Sequence, residues 1–246
     1  MRYLVLSDIH GNIDAFDAVL ADAAARYGEL PLLVLGDLVG YGGDPNGVID
    51  RLRDLPVAAA VRGNHDRAAC GLDDGAGFND VARVSAAATA RLLTPRNREH
   101  LRALPEGPLA VGPLIEICHG TPYDEDAYVF DEMDAVYALR AAARPLCLFG
   151  HTHAPFGARL RGEDLEVLDV TGGDPMALAP GAVHIINVGS VGQPRDGDPR
   201  AAYGVVDDEA LTVTCRRVAY DVERAQARIR EAGFPESLAA RLTLGR

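Results

Sequence analysis

The run LCLFGHTH, residues 146 to 153, sets four apolar residues directly before a glycine and two histidines spaced one apart. Leu146, Cys147, Leu148 and Phe149 are too short a run for a helix and are unbroken by any polar residue, the pattern of a strand buried on both faces. His151 and His153 then fall where that strand ends, and Gly150 lets the chain turn at close quarters. Two imidazoles at the mouth of a buried strand call for partners.

Working outward, the chain alternates short apolar runs with helical patterns. Residues 3–7, 32–35 and 57–61 read as buried strands. Between them lie a helix over 13–27, with Asn12 as its N-cap, and a second that opens on Asp44 and Pro45 and runs to Leu55. This βαβαβ order predicts a parallel sheet with crossover helices. A Gly/Asp-rich stretch over 70–80 leads into a helical region over 81–104, broken at Thr94-Pro95. A strand at 115–118, a helix at 131–143 and the strand at 146–149 follow. Beyond Pro155 come strands at 156–160, 165–170, 183–188, 203–207 and 211–218, then a helix at 222–232 and a short tail. There is no internal repeat or linker, so a single domain over 1–246 is expected.

What stands at the strand ends is the informative part. The first strand runs into Asp8-Ile9-His10-Gly11-Asn12, the second into Gly36-Asp37, and the third into Arg62-Gly63-Asn64-His65-Asp66. The strand at 115–118 runs into His119-Gly120. In an open α/β sheet, functional groups gather outside the carboxyl ends of the strands, so these five turns are predicted to converge. A lone DxH or HxH is commonplace; five together are not. Of seven histidines, only His100 and His184 lie elsewhere, and a solvated helix face and an ordinary strand position suit them. Asp14, Asp17 and Asp22 read as exposed helix charges, and Asp124-Glu125-Asp126 as a solvated loop.

Composition excludes several classes. A net charge of −12 and a pI near 4.9 argue against a surface that coats long nucleic acids. All 24 basic residues are Arg, a bias with no mechanistic weight. Cys70, Cys118, Cys147 and Cys215 form no CxxC pair, so buried thiols are expected rather than disulfides or a thiolate zinc site. The apolar run before Asp8 is too short for a signal peptide or a membrane span, which gives the expectation of a cytoplasmic protein without membrane attachment. Homo-oligomerisation is left open.

Taken in order, DIHGN, GD, GNHD, HG and GHTH resemble the motif set of the calcineurin-like metallophosphoesterase superfamily, over residues 3 to 195. The resemblance implies a four-layer α/β/β/α sandwich of two mixed sheets flanked by helices. It also implies a dinuclear metal centre: Asp8, His10 and His153 on one ion, Asn64, His119 and His151 on the other, and Asp37 bridging both. His65 would stand over the substrate phosphate and Asp66 would orient it. Asn12 and Arg195 join Asn64 and His65 as expected substrate contacts, with Ser190 an alternative to Arg195 on the turn at 187–195.

The residue types suit that chemistry by themselves. Two divalent ions roughly 3.5–4 Å apart clamp the attacking and leaving oxygens of an in-line displacement and acidify a bridging water. A carboxylate can span both; an imidazole cannot, which suits Asp37. Mixed imidazole, carboxylate and amide donors favour transition metals, Mn first, with Fe, Zn, Ni or Co as alternatives. The protein phosphatases and symmetrical dinucleoside-tetraphosphate hydrolases of the superfamily carry GDxVDRG; here Gly36-Asp37-Leu38-Val39-Gly40-Tyr41-Gly42 lacks that arginine. GNHD in place of GNHE points the same way, toward the small bacterial phosphodiesterases. The expectation is a phosphodiesterase on a small-molecule or nucleotide phosphoester, with a phosphomonoesterase and a non-catalytic interaction scaffold as alternatives. Tyr41, Tyr123 and Phe156 flank the motif loops as candidates to stack a base or aryl group.

Overall fold

A computed structural model describes residues 1–246. The chain runs β1 (Arg2–Leu6), α1 (Ile13–Tyr27), β2 (Leu32–Val34), α2 (Pro45–Arg53), β3 (Val57–Ala60), α3 (Asn64–Cys70), α4 (Asp80–Leu92) and α5 (Pro95–Ala103). It continues through β4 (Leu109–Val111), β5 (Ile115–Ile117), α6 (Glu132–Ala141), β6 (Leu146–Phe149), β7 (Phe156–Arg161) and β8 (Asp164–Leu168). The last elements are β9 (Met176–Ala177), β10 (Val183–Asn187), β11 (Ala201–Asp207), β12 (Thr212–Val218), α7 (Val222–Glu231) and α8 (Glu236–Leu242).

These strands make two mixed six-stranded sheets, ordered β3-β2-β1-β11-β12-β9 and β4-β5-β6-β10-β7-β8. In the first, β1, β2 and β3 are parallel and β11 is antiparallel to β1. In the second, β5, β6 and β10 are parallel and β7 is antiparallel to β10. Period-two alternation assigns each strand face to a layer. Val5, Leu33, Ile117, Leu148 and Ile186 share the core in which the two sheets meet. Leu4, Leu6, Leu32 and Val34 face Phe16, Val19 and Ile49 of α1 and α2, while Cys147, Phe149 and Ile185 face Ala135 and Leu139 of α6. The result is the expected helix, sheet, sheet, helix sandwich.

Some elements escaped the sequence. Helix α3 is only seven residues, β9 only two, and β4 three, all too short to show a period. The tail after α7 folds into α8, whose Leu238, Ala239 and Leu242 pack on Ala225 and Ile229 of α7. Asp14 is a correction: it is buried, and both Arg224 and Arg228 of α7 donate to its carboxylate, at 2.6 and 3.0 Å. Packing of α7 against the first turn of α1 removes it from solvent. Asp22, half-buried, accepts from Tyr203 at 2.6 Å, whereas Asp17 is exposed. His184 sits buried in β10 with Nε2 accepting from the Ala179 N–H, and His100 is half-buried. All four cysteines are free and buried. No helix is long and apolar enough to cross a membrane.

Candidate metal centre

The carboxyl ends of β1, β2, β3, β5 and β6 converge, and the backbone there is strained. Seven non-glycine residues have positive φ, and six are Asp8, His10, Asp37, Tyr41, His151 and His153, between 50° and 66°. Such conformations cost of order 1–3 kcal/mol each and persist only where surroundings over-determine them. Here the loops hold one another: the Asp8, His10 and Gly42 N–H groups donate to the carbonyls of Gly36 (3.1 Å), Asp37 (2.9 Å) and His10 (2.8 Å). Asn187 at the end of β10 donates to the Gly150 carbonyl and the Thr152 hydroxyl, at 2.7 and 2.9 Å, fixing the GHTH turn. Gly150 has no room for a side chain, because a Cβ would collide with Ser7 Oγ. That hydroxyl donates to Asp8 Oδ2 at 2.6 Å.

Two clusters of ligand atoms result, Asp8 with His10, Asp37 and His153, and Asp37 with His119 and His151; within each, the atoms lie within 4.8 Å of one another. Asp37 belongs to both. Asn64 Oδ1 lies 3.1 Å from His119 Nε2 and adds its amide oxygen to the second cluster. The structure brings together all seven side chains that the resemblance names as ligands.

The hydrogen bonds identify which ring nitrogens are free. His10, His119 and His153 each donate Nδ1–H to a backbone carbonyl, of Val39 (2.9 Å), Leu35 (2.8 Å) and Gln193 (2.7 Å). His151 uses Nε2 instead, toward the Asp126 carbonyl at 3.1 Å. Every other nitrogen therefore turns inward. His10 Nε2 faces His153 Nε2 at 3.0 Å, and His151 Nδ1 faces His119 Nε2 at 3.1 Å. Asp37 Oδ2 lies 3.5 Å from both His10 and His119 Nε2. Lone pairs opposed to lone pairs and carboxylates are a poor arrangement for the residues alone and a good one around cations. Burial holds His10 and His153 well below the usual imidazole range and His151 down to about 3, keeping their lone pairs available. Burial also acts downward on His119, but Asp37 overrides it and lifts the ring to about 10.

Asp37, Asn64, His151 and His153 of this donor set line a cavity of about 820 Å³. Tyr41, Phe78 and Tyr128 line its walls, together with Arg67, Arg195 and Arg241. His65 also lines it, with its ring stacked on Phe78 at 4.7 Å between centroids and its Nδ1 buried without a partner. Burial, against the pull of Asp37, holds His65 down to about 4, so the ring is neutral.

Four expectations need correction. Asp66 does not orient His65: its carboxylate accepts from the N–H groups of Val39 and Gly63, at 3.1 and 3.0 Å, capping α3 and pinning the Asp37 loop. Asn12 does not reach the cavity, because both ends of its amide are engaged. Oδ1 caps α1 at Ala15 and Nδ2 donates to the Gly192 carbonyl. Ser190 is buried beneath Asp8 and donates to its carbonyl at 2.8 Å, which leaves Arg195 as the residue of that turn in the cavity. Glu125 is no solvated loop charge either; Arg62 (2.9 Å) and Arg67 clasp it.

Of the aromatic candidates, Tyr41 lines the cavity, whereas Tyr123 is exposed and Phe156 packs against Phe149. Phe78, Tyr128, Arg67 and Arg241 were missed. Phe78 left a signal, as a lone aromatic in a Gly/Asp-rich loop; Arg241 left none.

Comparison with known proteins agrees with this geometry. A family model described as the calcineurin-like phosphoesterase superfamily domain matches residues 1–210. An uncharacterised protein of Methanocaldococcus jannaschii is 34% identical over 250 residues, covering 98% of this chain and 97% of its own. The crystal structure of a metallophosphoesterase from Sphaerobacter thermophilus superposes with a TM-score of 0.87 at 37% identity, covering 100% of this chain and 99% of that one. A hypothetical protein from Pyrococcus horikoshii OT3 shares the fold, with a TM-score of 0.79 at 22% identity over 100% and 98% of the two chains.

Proposed function

The chain belongs to the calcineurin-like phosphoesterase superfamily, and from that premise we propose that it is a dinuclear metal-dependent phosphodiesterase acting on a small-molecule or nucleotide phosphoester. The observation that carries this reading is the pair of ligand clusters sharing Asp37, with every inward ring nitrogen freed by a backbone carbonyl behind it. Asp8, His10 and His153 would hold one divalent ion, Asn64, His119 and His151 the other, and Asp37 both. Manganese heads the candidates, because the donors mix imidazole, carboxylate and amide oxygen.

When bound, two such ions supply Lewis acidity to a phosphoryl oxygen and acidify water for in-line attack on phosphorus. The chain's residues do the rest. Asp37 is fixed for its role by the His65 N–H, which donates to Oδ1 at 2.9 Å, leaving Oδ2 toward both histidine sets. His65, neutral and stacked on Phe78, can donate one hydrogen bond to a phosphoryl or leaving oxygen; it does not carry the ready proton of an imidazolium. Arg195 adds a cation to the cavity wall. Phe78, Tyr41 and Tyr128 offer flat apolar contact to the organic part of the ester.

The test compares bis-p-nitrophenyl phosphate with p-nitrophenyl phosphate as substrates of metal-stripped protein resupplied with Mn, using Asp37→Asn as the control. Metal-dependent diester turnover that Asp37→Asn abolishes is expected. Dominant monoester turnover would replace the reading with a phosphomonoesterase, and no turnover with two metal equivalents bound would turn it toward a scaffold.

A further inference from the structure

Three arginines line the cavity, and only one is neutralised by side chains. Arg67 is bound by Asp73, Glu125 and Asp126. Arg195 donates to the neutral Gln193 Oε1 at 3.0 Å, and its Nε is buried without a partner. Arg241 donates Nε to a main-chain oxygen of Arg246, the last residue of the sequence. Neither meets a side-chain carboxylate, in a chain whose 36 acidic residues outnumber its basic ones. The two cations feel one another: Arg241 is held below the usual guanidinium range first by burial and then by Arg195. Two half-buried like charges with free donors are a standing repulsion that an anion between them would relieve, with charge-assisted hydrogen bonds in addition.

Both arginines share the cavity with the ligand set. The Arg195 guanidinium carbon lies 5.7 Å from the Tyr41 ring centroid, and that ring packs 4.8 Å from His10 and 4.3 Å from His65. Tyr41 thus touches both Arg195 and the rings of His10 and His65. Arg241 comes from α8, beyond the residues matched by the family model.

We propose that Arg195 and Arg241 form a second anion subsite, so that the substrate carries a further phosphoryl or carboxylate group besides the ester to be cleaved. This rests on the phosphoesterase reading for the identity of the first group, and on the arginine pair alone for the second.

The experiment measures calorimetric affinities for alkane-α,ω-bisphosphonates of increasing chain length, ω-carboxyalkylphosphonates, and methylphosphonate as the single-anion reference. Each is titrated into Mn-loaded wild type, Arg241→Gln, and Arg140→Gln as a charge-matched control on α6 outside the cavity. At one chain length the two-anion ligand should bind tenfold or more tighter than methylphosphonate. Arg241→Gln should erase most of that advantage and Arg140→Gln none of it. Tighter binding of the bisphosphonate or of the carboxyphosphonate identifies the second group. Equal affinity for one-anion and two-anion ligands at every length, or an advantage undiminished in Arg241→Gln, overturns the proposal. Because binding is read directly, the result stands apart from whether bis-p-nitrophenyl phosphate is turned over, which tests the phosphoesterase reading.

Discussion

Gly63→Ala isolates the role of close packing at Asp37. Gly63 has φ −108° and ψ 175°, extended backbone that alanine adopts without strain, so the added methyl acts only through what it meets. It meets Asp37: a Cβ would overlap Oδ1 and lie 2.7 Å from Cγ, where two carbons prefer roughly 3.5–4.0 Å. The carboxylate cannot yield freely, since Oδ1 accepts from the His65 N–H. Overpacking of this kind costs ~1–3 kcal/mol, which for a chain of this size lowers Tm by roughly 2–4 °C per kcal/mol. Asp37 belongs to both ligand clusters, so affinity for both ions should fall together, by ~10–100-fold, the range seen when support behind metal ligands is disturbed. Metal content after dialysis against buffered Mn and scanning calorimetry read the two effects. Gly172→Ala is the control, because a Cβ there meets nothing within 4 Å and should change stability by under ~0.5 kcal/mol. If Gly63→Ala keeps the wild-type Tm and both metal equivalents, or loses only one, Asp37 is neither so tightly held nor shared as argued.

Other expectations follow from the same contacts. His65→Ala should lower diester turnover ~10²-fold or more with both metal equivalents retained; loss of metal would place His65 among the ligands. Glu125→Gln should weaken the clasp that holds the Asp126 carbonyl behind His151, seen as lower Mn affinity in competition with a chelator. Although burial acts upward on Glu125, Arg62 and Arg67 hold its carboxyl below the usual range. The clasp is therefore complete above the unfolded-chain value of ~4.3 and is lost as pH falls through the lower folded value. Glu125→Gln should correspondingly flatten the acid limb of a melting-temperature profile. Asp14→Ala should cost ~1–2 kcal/mol in urea unfolding, less than a fully buried pair, because Arg224 and Arg228 are partly exposed and rehydrate.

The site was more legible than its walls for a physical reason. Asp8, Asp37, His119, His151 and His153 each follow a strand, so one local feature, an apolar run before a polar turn, marks where they lie, and parallel topology brings their ends together. The buried strands 32–35 and 146–149 were legible for the same reason: both faces are covered, and no polar residue interrupts them. The failures are contacts between segments remote in sequence. Asp14 looks like a helix-surface charge until α7 arrives more than 200 residues later. Asn12 and Asp66 sit inside the motifs, yet their side chains are spent on backbone N–H and C=O groups that only the folded loops present. Arg241 lies on a helix too short to show a period.

Charge links these parts. A chain of net charge −12 repels an anionic phosphoester at long range, so attraction must be local. Without ions, the Asp8 and Asp37 carboxylates offset much of the field that the unpaired Arg195 and Arg241 and the ring of His119 set up, while Arg67 is held by its own acids. The metal-free cavity thus pulls only weakly on an anion. Two divalent ions on that set would add four positive charges to the same wall, and their charge would dominate the local field. Substrate capture should therefore depend on metal loading before any chemistry begins. A slowly hydrolysed diester should bind the metal-stripped protein far more weakly than the Mn-loaded one, and added salt should weaken binding to the loaded form more steeply, because only there does a strong cationic field remain to be screened. Equal affinity in the two forms would mean that the arginines alone recruit the substrate.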